Sequence, residues 1–235
     1  AIESAAENYA VRFSYTNSMQ TGMIPNTDQE KNSVNLNATA SPYKFLAFTA
    51  NATYINTYSK NLPAYGYSGQ NVMQQFMWFG RQVDVADLKQ YKYPDGSKRN
   101  WNYSYHNNPY FTLYENLNGI DRDRLLGQAT STIKFTDWLS LKTGIGVDYY
   151  TNYNNARSAY GDIESPYGFL SEAKRTFREV NTDFMFMINK SFTEKLAFSL
   201  NFGGSRMDQF TQSLSAYTTE LSVPDVYTFE NARVP

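Results

Sequence analysis

A search for chemistry in this chain of 235 residues begins with its one histidine, His106, in the asparagine-rich stretch RNWNYSYHNNPYF. No Ser-Asp pattern stands near it, so nucleophilic catalysis has no anchor and the residue reads as a solvated loop histidine. Asp121 and Asp123 offer a pair of carboxylates, but they alternate with Arg122 and Arg124. Ion pairing that anchors a loop's return to a sheet accounts for that alternation better than acid-base work. Gly144-Ile145-Gly146 is no phosphate loop, because strand-type alternation continues through it and no helical segment follows. No catalytic residue, metal site or cofactor is assigned, and the chain is not expected to be an enzyme. What remains is binding. Tyr65, Tyr67, Trp78, Phe79, Trp101, Tyr103 and Tyr110 fall in one long irregular stretch, where aromatic faces suit stacking on sugar rings or packing against a protein lid. A loop that holds itself together with its own aromatics is the open alternative.

The elements that position these residues are β-strands. In Leu139–Tyr149 apolar residues occupy the odd positions, with Thr143 the exception, while Ser140, Lys142, Gly144, Gly146 and Asp148 occupy the even ones. A period of two puts one face of a strand in an apolar medium. Leu125, Ala129, Ile133 and Phe135 repeat the pattern ahead of a very tight turn, so the two strands pair antiparallel. Similar runs occur at 8–17, 34–40, 46–54, 180–188 and 196–203, about seven strands in all. Gln128, Thr130, Lys134, Lys142 and Asp148 lie on the polar side, where small residues such as Gly144 and Gly146 leave room for another element.

Composition narrows the class. The chain is 17% aromatic and 18% charged, has no Cys and carries a formal net charge of -1. Disulfides and Cys-ligated metals are excluded, and the charge gives no reason to expect nucleic acid. No apolar run is long enough for a membrane helix, and the opening AIESAAENYA has no signal-peptide pattern. Mean hydropathy is negative. That value does not argue against the membrane, because a transmembrane barrel alternates lipid-facing and lumen-facing residues.

Connection lengths argue for such a barrel. Tight turns near 41–45, 136–138 and 191–195 share one rim, whereas long irregular segments at 60–123, 152–176 and 208–235, and a shorter one at 20–28, share the other. Short periplasmic turns opposite long extracellular loops mark outer-membrane barrels, and aromatics cluster at both strand ends as interface girdles do. The segment 72–91 is expected to hold one or two short helices. About seven strands cannot close a bacterial barrel, so residues 1–235 are expected to form part of one larger barrel domain.

The stretches YTNSMQTGMIPNTD (15–28), NVMQQFMWFGRQVDVADLK (71–89), NPYFTLYENLNGIDRDRLLGQ (108–128) and FTDWLSLKTGIGVDYY (135–150) together resemble the mid-barrel region of SusC/RagA-family TonB-dependent transporters. The resemblance implies a 22-stranded outer-membrane barrel of a Bacteroidetes nutrient importer, with a plug that this stretch lacks. It implies TonB-complex energy, a SusD-like lipoprotein partner, an oligosaccharide or peptide substrate, and outer-membrane lipid around the wall. A non-transporting glycan-binding or adhesion β-domain is the alternative.

Overall fold

The computed structural model describes residues 1–233; Val234 and Pro235, the end of the expected 208–235 loop, lie outside them. Its frame is eight strands: β1 (Ile2–Ala6), β2 (Tyr9–Thr21), β3 (Asp28–Tyr43), β4 (Leu46–Ser59), β5 (Leu117–Lys134), β6 (Leu139–Tyr160), β7 (Tyr167–Thr193) and β8 (Leu196–Thr218). They form one antiparallel sheet in sequence order, open between β1 and β8. This is the fold of a segment of transmembrane β-barrel wall. The strand missed by alternation is β1, whose IESAA sequence is too short and too small-residue-rich to display an apolar face.

Cross-strand register sorts the side chains into rows. One row, Tyr15–Val34–Tyr54–Leu125–Tyr149–Arg178–Phe210, crosses seven strands without a slip. Lower on the same face runs Leu46–Ile133–Leu141–Phe186–Phe202. The next row above the tyrosines is wholly polar: Asn17, Asn32, Asn56, Asp123, Thr151, Thr176 and Gln212. An apolar band thus ends in an aromatic row and then a polar one, as the lipid-facing surface of a barrel does. From Leu139 to Tyr149, at about 3.3 Å per residue and a tilt of about 40°, the band is about 25 Å tall. Its side chains have no protein to pack on: Ile145 is 46% exposed and Phe202 66%. Thr143, the polar intruder, shares a 2.8 Å hydroxyl hydrogen bond with Ser131, which removes its cost on an apolar face.

The rims differ as expected. Connections at 7–8, 44–45, 135–138 and 194–195 lie at one end, and those at 22–27, 60–116 and 161–166 at the other. Three expected boundaries are corrected. The 60–123 loop ends at 116, where β5 begins; 152–176 is mostly strand, with only 161–166 as connection; and β8 carries the chain to Thr218, well past 208. The cause is common to all three. Beyond the apolar band both faces of a strand meet water or protein, so alternation vanishes while the ladder continues.

The loop segment contains α1 (Val72–Phe76), a short 3-10 turn at Asp87–Lys89, and α2 (Pro109–Glu115). The first two fall within the segment expected to hold short helices. For α2 the signal was present in the sequence: Asn108 caps it, its side chain accepting from Tyr110 N–H, and Pro109 takes the first turn, which has no amide bond to lose. The well-buried apolar side chains sit at this rim and not within the sheet. Val72, Leu88, Phe111, Leu113, Ala159, Leu170 and Leu221 form a small core between the loop segment, the tips of β6 and β7, and the chain after β8.

Candidate functional site

Asparagine amides hold the loop segment in place. Asn108, fully buried, donates to Leu88 O and Arg99 O at 2.9 Å each. Asn61 donates to Asn26 O and Leu113 O, and Asn26, at φ 57, donates to Leu113 O at 2.6 Å. Asn116 donates to Gln70 Oε1 at 2.8 Å and accepts from Ala159 N–H. Amides suit this task because each carries two donors and an acceptor on a short stem, enough to satisfy irregular backbone removed from water.

The hub is Asp162, 1% exposed, in the β6–β7 connection. Its Oδ2 accepts from Asn107 and Asn116 at 2.7 Å and from Gln70 at 3.3 Å. Its Oδ1 accepts the Glu164 and Ser165 amides at 2.9 Å. Lys98 closes the network through Asn107 Oδ1 at 2.8 Å and Gly161 O, with its ammonium 5.1 Å from the Phe111 ring centre. Burial lowers the Lys98 pKa and the Asp162 carboxylate opposes that shift.

On this base lies an aromatic cleft of about 460 Å³, lined in part by Tyr67, Trp78, Trp101, Tyr105, His106 and Glu164. His106 is stacked between two indoles, 5.6 Å from Trp78 and 5.3 Å from Trp101, centre to centre. His106 is a half-buried loop residue on the open cleft, and neighbouring tryptophans give its imidazole apolar faces to lie on. Phe79 backs Trp101 edge-on at 4.5 Å, and Trp101 Nε1 donates to Asn107 O, tying the cleft wall to the amide network.

Of the seven aromatic candidates, Tyr67, Trp78 and Trp101 come together here and Phe79 supports them. Tyr65, 91% exposed, and Tyr103, 65% exposed, do not line the cleft, and neither does Tyr110 on α2. Glu164 and Tyr105 were missed, and His106 was weighed for catalysis but not for the cleft. Glu164 arrives from a turn about a hundred positions along, and no local pattern announces it; its carboxylate accepts Gly69 N–H at 3.2 Å.

The other candidate set lies on the sheet face opposite the apolar rows. Gln128 pairs with Gly146, Thr130 with Gly144, Lys134 with Ser140, Lys142 with Thr132 and Asp148 with Leu126, so all five share that inner face. Gly144 leaves room for its neighbour Asp183, whose Oδ1 would lie 2.4 Å from an added Cβ, whereas Gly146 meets nothing closer than 3.9 Å. The expected pairing of Asp121 and Asp123 with Arg122 and Arg124 is corrected. Neighbours in a strand point to opposite faces. Asp123 turns outward to the Tyr54 hydroxyl and Asn56, while Arg124 turns inward and grips Asp148 with two bonds of 2.9 and 2.7 Å. Arg122 also turns inward and lies 4.4 Å over Tyr150, which in turn stacks on Phe177.

Comparison with solved structures agrees with this geometry. The chain is similar to the RagAB peptide transporter, with TM-score 0.74, 14% identity, 99% of this chain covered and 26% of that one. The RagAB peptide importer in the 'open-open' state gives TM-score 0.69 at the same identity and coverage. BauA, the ferric preacinetobactin receptor from Acinetobacter baumannii, gives TM-score 0.54 at 10% identity, covering 89% of this chain and 27% of the receptor. The chain thus has the fold of these proteins over about a quarter of their length. No family model matches the sequence, and no curated protein matches it.

Proposed function

We propose that this chain forms part of the wall and outer rim of a SusC/RagA-type, TonB-energised nutrient importer of the outer membrane. The observation that carries the reading is the likeness of nearly the whole chain, 99% of it, to the RagAB peptide transporter, in a sheet with one exposed apolar face. The open edges support it as well. β1 and β8 present unpaired backbone groups, and lipid cannot satisfy them, so further strands must complete the wall.

In this reading the segments 60–116, 161–166 and the chain after Thr218 lie outside the cell, and the tight turns face the periplasm. The cleft around Trp78, Trp101 and His106, with Tyr65, Tyr103 and Tyr110 displayed nearby, contacts either a SusD-like lipoprotein lid or the incoming oligosaccharide or peptide. Gln128, Thr130, Lys134, Lys142 and Asp148 line the lumen or touch the plug. The segment performs no catalysis; its work is to shape a passage and its mouth. A free-standing glycan-binding domain would also use an aromatic cleft, but it would have no use for an apolar outer face with open edges.

The test is purification of the outer-membrane protein that carries this segment, in detergent, from its native membrane. A lipid-anchored partner in stable complex is the expected result. Solubility without detergent would overturn the reading.

A further inference from the structure

The inner sheet face carries a charge pattern that the proposed reading does not use. Immediately above the Arg124–Asp148 pair runs the cross-strand row Lys31–Thr57–Arg122–Asn152–Arg175–Ser213, with three cations and no acid. Among the described residues none of the three cations is in an ion pair. The backbone positions of Asp148 and Glu179 lie about 13 Å lower along the strands, beyond a Debye length of about 8 Å at physiological salt. Asp121 and Asp123, next to Arg122 in sequence, are on the other face.

Arg122 is also held in place. Its guanidinium lies on Tyr150, Tyr150 stacks on Phe177 at 5.0 Å, and its Nε is buried without a hydrogen-bond partner. A fixed arginine binds a carboxylate through its terminal nitrogens at a smaller entropic cost than a mobile one. The contrast with Arg124 is direct: that residue is neutralised by a bidentate carboxylate and is not available.

We infer that Lys31, Arg122 and Arg175 form a basic collar at the outer mouth of the lumen that selects carboxylate-bearing peptides in extended form; this rests on the importer reading. The cations recur at every second strand, about 10 Å apart, which is close to the span of about three residues of polyproline II chain, the extended form whose side chains at every third residue share one side. Acidic side chains at that spacing can meet successive cations without bending the backbone. Rings of one charge at a channel mouth concentrate and select the opposite charge.

The experiment uses the intact barrel protein with its partners in detergent. Binding is measured for a synthetic Asp/Ala peptide, its Asn/Ala and Lys/Ala counterparts, and an oligogalacturonate. The Asp/Ala peptide should bind about tenfold tighter than the Asn/Ala one, and the preference should shrink as salt is raised. Replacing all three cations, Lys31→Gln, Arg122→Gln and Arg175→Gln, should abolish the preference. Lys174→Gln with Arg178→Gln and Arg206→Gln, which removes equal charge from the outer face, should keep it. Equal binding of the Asp/Ala and Asn/Ala peptides by the unaltered protein, or a preference that survives the inner-face triple variant, would overturn the collar and leave the importer reading intact. Stronger binding of the oligogalacturonate than of the Asp/Ala peptide would overturn the peptide assignment. Binding of none of the probes would overturn the collar, while the importer reading stands or falls on the detergent and partner test above.

Discussion

The band of sheet between Leu139 and Tyr149 and the cap built from residues 60–116 are stabilised by opposite means. The band has almost no buried side chains; its order comes from an unbroken ladder and from an apolar face that only lipid can cover. The cap resembles a small soluble domain, with Phe111, Leu113 and Leu88 inside and asparagine amides satisfying a backbone that has no ladder. One chain therefore uses two solvents. A substitution should damage one region and spare the other.

Phe111→Ala is expected to have the largest effect, about 3 to 5 kcal/mol of cap stability, because it empties the centre of a small core. Limited proteolysis of the assembled barrel should show 60–116 cut faster while the strands stay protected. Leu141→Lys or Phe198→Lys does the converse, placing a charge toward lipid at about 2 to 4 kcal/mol near the midplane. Loss of heat-resistant barrel from outer-membrane fractions is the expected sign, and normal assembly would contradict the assigned facing. Asp162→Asn keeps the shape of the hub but turns a donor group toward the donors of Asn107 or of the Glu164 backbone, at about 2 kcal/mol. Hydrogen exchange should rise in the β6–β7 connection and at 107–116 together, since one carboxylate serves both.

The smallest effect is a pH response of the chain after β8. Burial pushes the Tyr227 hydroxyl up to about 12 from its ordinary 10, with Arg157, 4.3 Å over the ring, opposing the shift. Because the folded form favours the neutral phenol, its contribution is fully present below pH 10 and is lost as pH rises toward 12. Protease sensitivity of 219–233 should increase through that window in the native protein, and Tyr227→Phe should remove that component.

These two regions also differ in how much of them could be read from sequence. Alternation put Leu125 and Ile145 on one sheet face and Gln128 on the other, as the strand register does, because an apolar medium on one side forces a period of two on the residues themselves. It failed at β1, which is too short, and at 152–176, where no apolar medium enforces the period. In the cap, the aromatics Trp78 and Trp101 stood out by type. Their partner Glu164 and the hub Asp162 did not, because both depend on a turn from a distant strand pair. The Asp121–Arg124 run misled for a simple reason: nearness in sequence was taken as nearness in space, and a strand separates adjacent side chains by a full sheet thickness.

The account stands most directly on which residues face lipid. This stretch has no cysteine, so single cysteines placed one at a time along 139–149, in an otherwise cysteine-free form of the assembled outer-membrane protein, can each carry a spin label. Odd positions are predicted to be relaxed by oxygen dissolved in the bilayer, and even positions such as 142 and 148 by a water-soluble relaxation agent. Uniform access of the water-soluble agent to both sets would contradict a membrane wall.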